Sequence, residues 1–127
     1  MASHYHRIAA CYAARMGGGS VHDRFADTGV VVICRDGPNA PQARAAATPD
    51  HLAYIDTVFD DINVAGPLYD EAGIETVGSL YSLRTKSLAR AKQIIEGDPY
   101  FRAGVFASVE YFPHLPAAGH YIGGKIW

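Results

Sequence analysis

The chain has 127 residues, of which 49% are hydrophobic and 19% are charged, and its formal net charge at pH 7 is −2. This length suits one domain, the composition is that of a globular protein, and the charge excludes a strong general attraction to nucleic acid or to an anionic membrane. No apolar run approaches the about 20 residues that a membrane-spanning helix needs. The two cysteines form neither a C-x-x-C pair nor a disulfide framework, so we expect a reducing, cytoplasmic setting.

The first 27 residues differ in composition from the rest of the chain. They contain no acidic residue before Asp23, and they include a flexible glycine-rich stretch at 17–20. We therefore expect residues 1–27 to form an N-terminal extension and residues 28–112 to form the folded domain. Residues 113–127 are expected to form a tail, and its apolar end predicts packing on the same domain or on a partner subunit.

A strand and a helix are predicted first along the domain. The β-branched run at 29–34 is typical of a buried strand, and turn-forming residues follow at 35–41. Thr48 as N-cap and Pro49 at the first helical position predict a helix that begins there, with an earlier turn at 43–47 as the alternative. The predicted apolar face of this helix contains Leu52, Ile55, Phe59 and Ile62.

A hairpin, a second helix and a last strand complete the predicted elements. Strands at 64–69 and 76–83 are separated by turn residues and predict the hairpin. Ser87 caps a helix that Gly97, Asp98 and Pro99 end, and its predicted apolar face contains Leu88, Ala91 and Ile95. One more helical turn at 100–102 precedes the fourth strand at 104–112.

The predicted order β-α-β-β-α-β defines the fold class. It is the ferredoxin-like pattern of an α+β protein, with a four-stranded sheet and both helices on one face. The other face of such a sheet is bare, and burying it normally needs a partner. Two such sheets packed face to face form a dimeric α/β barrel, so we expect a two-fold symmetric homodimer.

Three polar residues converge at one end of the predicted sheet. Asp36 follows the first strand, His51 lies in the opening turn of the first predicted helix, and Asp98 follows the second helix. In this topology the first helix begins, and the second helix ends, where the first strand finishes, so the three residues come together. The hairpin tip, with Asp70 and Glu71, lies at the same end.

Four blocks of the sequence resemble the YCII-related (YciI-like) family. They are TPDHLAY at 48–54, AGPL at 65–68, GSL at 78–80 and DPYFRAGV at 98–105. The resemblance covers residues 29–112 and implies the dimeric α+β barrel. It also implies an active site built on a histidine and an aspartate, here His51 and Asp98, with Asp36 as a further acidic position. The chemistry it implies is that of a cofactor-independent lyase or isomerase, of the dehydrochlorinase or muconolactone-isomerase type.

The chemistry expected of His51 is general acid–base catalysis. Histidine titrates near neutrality and can take up and return a proton at working pH. A carboxylate on one ring nitrogen fixes the tautomer, so His51 with Asp98 or Asp36 is the candidate pair for proton removal from an activated carbon or phenol. A helix that begins beside His51 also favours an anionic group on the substrate.

Five further residues form the predicted substrate-binding set. They are Arg44, Ser79, Tyr100, Gly66 and Pro67. The first three are candidates for holding substrate oxygens. Glycine at 66, like Gly78, leaves room for a flat ring or for a close approach of the backbone.

Structural explanations compete with these functional ones. Asp36-Gly37-Pro38 is a good turn sequence, and an aspartate at 98 before Pro99 is a common helix stop. Arg44 suits a solvated helix as well as an anion site, and Cys34 is expected to be a small buried hydrophobe.

The motifs of the sequence predict neither a cofactor nor a metal. The chain has no metal-ligand spacing of the H-x-x-x-H or C-x-x-C type, no P-loop and no dinucleotide-binding fingerprint after the first strand. We therefore expect a small-molecule substrate and a homodimer, with no nucleic-acid or membrane partner. The alternatives are a non-catalytic ligand-binding or assembly domain and, on fold analogy alone, a cofactor-free monooxygenase.

Overall fold

The structure of the protein is a computed structural model that describes residues 29–120 and 123–125, and the predicted extension at 1–27 lies outside the described residues. The elements, with the labels used below, are β1 (Gly29–Asp36), α1 (Ala40–Val58), a 3₁₀ turn (Phe59–Asp61), β2 (Ile62–Tyr69), β3 (Thr76–Leu83), α2 (Leu88–Gly97), α3 (Pro99–Arg102), β4 (Phe106–His114), β5 (Ala118–Gly119) and β6 (Gly124–Lys125).

The main sheet has the predicted ferredoxin-like topology. Its four strands lie in the order β2-β3-β1-β4, and every neighbouring pair is antiparallel. Because β1 and β3 are central, the residues at the end of β1 and at the start of β3 lie side by side. The α+β fold class is therefore confirmed. Within residues 29–120 and 123–125, no helix is long and apolar enough to cross a membrane.

The core lies between this sheet and the helices. On β1, Val30, Val32 and Cys34 are fully buried, whereas the residues between them are only partly buried. They form one cluster with Leu83 of β3 and Ile95 of α2. The alternation shows that one face of the sheet packs against the helices, as expected for a strand with period-two burial.

The first helix begins eight residues earlier than Thr48, so the predicted start is wrong. Helix α1 starts at Ala40, with Pro41 in its first turn, and Pro49 lies in its interior. Pro41 satisfies the same first-turn preference that favoured Pro49. Several alanines follow, and alanine has the highest helix propensity, so the helix forms before Thr48 is reached. Pro49 then removes only one backbone hydrogen bond from an otherwise favourable helix.

The predicted apolar face of α1 is also wrong in most of its members. Leu52 is 58% exposed and Phe59 is 68% exposed, and Ile62 belongs to β2. Ile55 packs against the core from the helix, and Ile62 does so from β2. The partly or fully buried stripe of α1 instead contains Arg44, Thr48, His51, Ile55 and Val58. Three members of this stripe, Arg44, Thr48 and His51, are polar, so hydrophobic periodicity does not mark the face that points inward.

The later elements lie close to their predicted positions. Strand β3 has the predicted bounds, and β4 begins and ends two residues later than predicted. The Ser87 side chain accepts a hydrogen bond from the backbone N–H of Arg90 and caps α2, as predicted. Ala91 and Ile95 of α2 are buried, but Leu88 is exposed because it lies at the first position of the helix.

Candidate active site

The candidate site lies at the end of the sheet where β1 finishes. Asp36 is the last residue of β1 and pairs with Phe106 at the start of β4. Helix α2 ends at Gly97, and Asp98 links it to α3. Helix α1 passes over this end with His51 on its inward stripe. The topology therefore brings Asp36, His51 and Asp98 to one end of the domain, as the order of elements predicted.

The central polar contact of the site joins His51 to Asp98. The Nδ1 atom of His51 lies 2.8 Å from Oδ1 and 3.0 Å from Oδ2 of Asp98. The Asp98 side chain is 1% exposed, while the His51 side chain keeps some contact with solvent. The choice between Asp98 and Asp36 as the partner of His51 is thus resolved in favour of Asp98.

Asp98 accepts two further hydrogen bonds. The hydroxyl of Tyr81 donates to Oδ2 at 2.8 Å, and the backbone N–H of Tyr100 donates to Oδ1 at 2.9 Å. The second of these bonds caps the N-terminus of α3, while α2 ends just before it at Gly97, with the Asp98 backbone N–H bonded to the Ile95 carbonyl oxygen. One buried carboxylate therefore both caps the start of a helix and holds an imidazole.

These contacts determine which ring nitrogen of His51 carries the proton. An ionised carboxylate is an acceptor only, so the Nδ1 atom that faces Asp98 is the one that donates. In neutral His51 the lone pair is then on Nε2, which has no hydrogen-bond partner among the described residues. The arrangement supplies a base at Nε2 and a carboxylate that stabilises the ring once it is protonated.

A second ion pair lies beside the first. Arg44 donates from Nε to Oδ2 and from Nη2 to Oδ1 of Asp36, both at 2.8 Å. Nη2 also donates to the buried Ser79 hydroxyl at 3.0 Å. Burial alone lowers the pKa of Arg44, but the hydrogen bonds and charge of Asp36 outweigh burial and raise it. Asp36 therefore orients Arg44 in a two-pronged contact and does not contact His51.

Tyr100 lies between Arg44 and His51. These two residues are seven positions apart on α1, or about 10 Å along the helix axis. The Tyr100 ring stacks on the His51 ring with centroids 3.8 Å apart and an interplanar angle of 13°. The guanidinium carbon of Arg44 lies 4.9 Å from the centroid of the same ring. Tyr100 therefore fixes the orientation of the imidazole by packing.

Thr48 completes this arrangement and was missed by the sequence analysis as a site residue. Its hydroxyl donates to the carbonyl oxygen of Arg44 at 2.6 Å and lies 2.8 Å from the Tyr100 hydroxyl. Because Thr48 has a single hydroxyl hydrogen, Tyr100 is the donor in their contact. The Tyr100 hydroxyl is then left with acceptor capacity only. Thr48 was interpreted as a helix cap, and its inward position follows only from the earlier start of α1.

The predicted helix N-terminus beside His51 is wrong. Helix α1 begins at Ala40, so His51 lies three turns into the helix. The field of a helix end acts within the first turn and does not reach this position. The argument for an anionic substrate group from the helix dipole therefore no longer holds.

The remaining predicted site residues lie on two faces of the sheet. Pro67 of β2 pairs with Ser79 of β3 and lies on the helix-facing side, next to the Arg44 contact. Gly66 pairs with Leu80, so it belongs to the opposite face and is not brought to the site. A Cβ atom at Gly78 would collide with the carbonyl oxygen of Cys34, so close approach of the backbones explains this glycine.

Tyr81 is the other site residue that the sequence analysis did not identify. It lies on β3 within the predicted strand, where an aromatic residue is ordinary. The signal that was available is its position two residues after Ser79 on β3, because residues two apart on a strand lie on the same face of the sheet. That face is the one that contacts Asp98. Burial raises the pKa of Tyr81 first, and the nearby charge of Asp98 raises it further, so the hydroxyl stays protonated as a donor.

Cys34 is buried beneath the site and is predicted to be unreactive. Burial, followed by the negative charge of Asp98, raises the pKa of its thiol from 9.0 to about 12. That rise corresponds to roughly a thousandfold lower thiolate fraction at pH 8. We expect iodoacetamide to modify Cys34 in urea but not in the native protein at pH 8, with a Cys11→Ser background removing the other thiol. Rapid native alkylation would contradict this prediction.

The same thiol is expected to make the free energy of unfolding depend on pH in the alkaline range. The unfolded chain releases the proton near pH 9, whereas the folded chain retains it to about pH 12. The contribution of Cys34 is therefore complete below pH 9 and is lost as the pH rises from about 9 to about 12. In Cys34→Ala, this part of the alkaline loss of stability should be absent from denaturant titrations across that range.

In residues 29–120 and 123–125, no three histidine, cysteine, aspartate or glutamate side chains are grouped so that they could hold a metal ion. The acidic groups of the site instead face His51 and Arg44 directly.

The fold and the site define a ferredoxin-like α+β domain with a histidine–aspartate pair at one end of the sheet, in which the aspartate is buried and the histidine is partly accessible. The chain belongs to the YCII-related domain family, whose model matches residues 28–114. The family resemblance seen in the four sequence blocks is thereby confirmed. No curated protein matches the chain.

A solved structure with the same fold is an enzyme. It is 5-chloro-2-hydroxyhydroquinone dehydrochlorinase from Burkholderia phenoliruptrix AC1100, in complex with 2,5-dihydroxybenzoquinone. The two chains are 24% identical, the alignment covers 71% of this chain and 94% of that chain, and the TM-score is 0.60. At this identity the likeness shows the fold.

Proposed function

We propose that the protein is a small enzyme, a lyase or isomerase, in which His51 transfers a proton to or from a small oxygenated, cyclic metabolite. The observation that carries the proposal is the 2.8 Å contact between His51 Nδ1 and Asp98 Oδ1, with Asp98 buried and His51 partly accessible. A histidine oriented in this way presents Nε2 as a proton acceptor.

The proposed reaction begins with proton transfer from the substrate to His51 Nε2. The electron pair left on the substrate either expels a leaving anion from a neighbouring atom or shifts a double bond. In the first case the products are an unsaturated ring and the acid of the leaving group. In the second case His51 returns the proton to a different carbon. Asp98 stabilises the protonated ring in both cases and acts through His51 without touching the substrate.

Arg44 is the proposed binding residue for a substrate oxygen. The hydrogen bonds to Asp36 and Ser79 come from its Nε and Nη2 atoms, and the Tyr100 hydroxyl is a further polar neighbour of the guanidinium. A guanidinium held by one carboxylate still offers the N–H groups of Nη1 in a fixed direction. The Tyr100 ring maintains the spacing between this group and His51. Asp36 thus contributes by positioning Arg44.

A homodimer is part of the proposal. The sheet face away from the helices contains partly buried or exposed apolar side chains, among them Val31, Ile33, Leu80 and Phe112. The occupant we propose is the same face of a second copy, because one self-complementary patch per subunit closes a two-fold dimer. The family resemblance supports this dimeric barrel.

The test of the function is an assay of the purified protein with chlorinated and unchlorinated hydroxyhydroquinones and with small unsaturated lactones. The similar solved structure is a dehydrochlorinase, and this supports chloride release as the first readout. Incorporation of deuterium from D₂O is the second readout, because it detects proton transfer without a leaving group. We expect one of these rates to exceed the buffer rate by about 100-fold or more.

Two outcomes would contradict the enzyme proposal. A compound that raises the melting temperature, but shows neither chloride release nor deuterium exchange, would support the non-catalytic ligand-binding alternative. Oxygen consumption that accompanies conversion of an aromatic compound would support the monooxygenase alternative.

A further inference from the structure

The Tyr81 hydroxyl holds one oxygen of the buried carboxylate. Tyr81 is 3% exposed and donates to Oδ2 of Asp98 at 2.8 Å. We infer that Tyr81 is a positioning residue that fixes the Asp98 carboxylate and weakens its hold on the His51 proton, so that Tyr81 sets the pH at which His51 titrates. The catalytic meaning of this inference rests on the proposed function, but its effect on the His51 ring does not.

The contacts of Asp98 give the direction of this effect. Oδ1 receives the Tyr100 N–H, Oδ2 receives the Tyr81 hydroxyl, and His51 Nδ1 lies within 3.0 Å of both oxygens. A hydrogen bond to a carboxylate stabilises its charge and reduces its basicity. Removal of the Tyr81 hydroxyl therefore leaves a more basic carboxylate, which stabilises protonated His51 more strongly.

The other charged and titratable groups around the pair stay the same when this hydroxyl is removed. Tyr100 stacks on His51, and Arg44 with its partner Asp36 lies on the Tyr100 ring side. Cys34 on β1 and Tyr54 on α1 are near enough for the Asp98 charge to raise their pKa values, after the effect of burial. None of these groups donates a hydrogen bond to Oδ2 of Asp98.

The chain offers a closely matched control at Tyr111. Val32 on β1 pairs with Tyr81 on one side and with Tyr111 on the other, so the two tyrosines lie level on the same sheet face. Tyr111 also packs against the same core cluster, but it makes no hydrogen bond to Asp98. Tyr111→Phe removes a hydroxyl from a similar packing environment and leaves the carboxylate contact in place.

The experiment is an NMR titration of the full-length protein with isotope-labelled histidine, with the His51 signals assigned from His51→Gln. In Tyr81→Phe we expect the His51 ring signals to titrate about 0.5–1 pH unit higher than in the wild type. In Tyr111→Phe they should titrate as in the wild type. Equal midpoints in all three proteins, or equal changes in both variants, would overturn the inference.

A wild-type measurement covers the case in which Tyr81→Phe does not fold. The Tyr81 hydroxyl proton should give a resolved signal protected from exchange with water, because it is buried and bonded to Asp98. A rapidly exchanging hydroxyl would overturn the inference.

If the His51 midpoint moves as expected while no substrate is ever turned over, the positioning role stands and the proposed function fails. If His51 proves essential while the midpoint stays unchanged, the function stands and the role of Tyr81 fails.

Discussion

Replacement of His51 by alanine is expected to lower kcat/KM by about 10²–10⁴-fold on any substrate that the protein turns over. The variant loses the base at Nε2, and no other described side chain both contacts Asp98 and presents a free ring nitrogen. The fold should persist, because Asp98 keeps its hydrogen bonds from Tyr81 and from the Tyr100 backbone. The measurement is steady-state turnover together with the denaturant midpoint of both proteins.

Two additions make this result specific to the histidine. Free imidazole should restore part of the activity of His51→Ala, because the space next to Asp98 and the Tyr100 ring is the size of the lost ring. His114→Ala is the matched control, since His114 lies at the opposite end of the sheet, paired with Gly29. Full activity in His51→Ala, or an equal loss in His114→Ala, would rule out His51 as the proton carrier.

The position of the site could be predicted because it follows from topology. The topology of an antiparallel ferredoxin-like sheet brings the positions of Asp36, His51 and Asp98 to the same end of the domain. This placement does not depend on the directions of their side chains. This is also why the wrong start of α1 did not affect the prediction: His51 reaches Asp98 from the middle of the helix as well as it would have from the first turn.

The partners within the site could not be predicted in the same way. His51 had two aspartates within topological reach, and the selection of Asp98 depends on side-chain directions on α1 and on the turn before α3. The same side-chain directions place Asp36 in contact with Arg44. Each pair contains one polar residue of the inward-facing stripe of α1, His51 or Arg44, and hydrophobic periodicity assigns such residues to the outside of a helix.

Tyr81 shows a second limit of sequence reasoning. An aromatic residue on a central strand is fully explained by packing, and nothing in its neighbours in the chain indicates a buried carboxylate 17 positions later. Its role follows from three-dimensional proximity and from the need of a buried charge for hydrogen-bond donors. Gly66 is the opposite case, since its neighbours resemble the family motif while its position faces away from the site.

Replacement of Asp98 by alanine is expected to lower the free energy of unfolding by about 3–5 kcal/mol. The variant leaves the Tyr81 hydroxyl and the His51 Nδ1–H without their acceptor, and it removes the cap of α3. Buried donors without partners lose their hydration on folding and recover nothing in return. Since small domains have a total stability of about 5–15 kcal/mol, this loss is visible in any urea titration.

The exposed pair between Asp61 and Arg90 supplies the control for this stability prediction. Its side chains are also joined by a hydrogen-bonded ion pair, at 3.1 Å, but both are more than one-third exposed to water. Asp61→Ala should therefore lower the free energy of unfolding by less than about 1 kcal/mol. If both variants lose the same small amount, the Asp98 carboxylate is not held by its three donors in solution, and the orientation of His51 that the proposed chemistry needs is lost with it. A large loss in Asp98→Ala alone means that the same contacts that stabilise the fold also hold the imidazole in place for proton transfer.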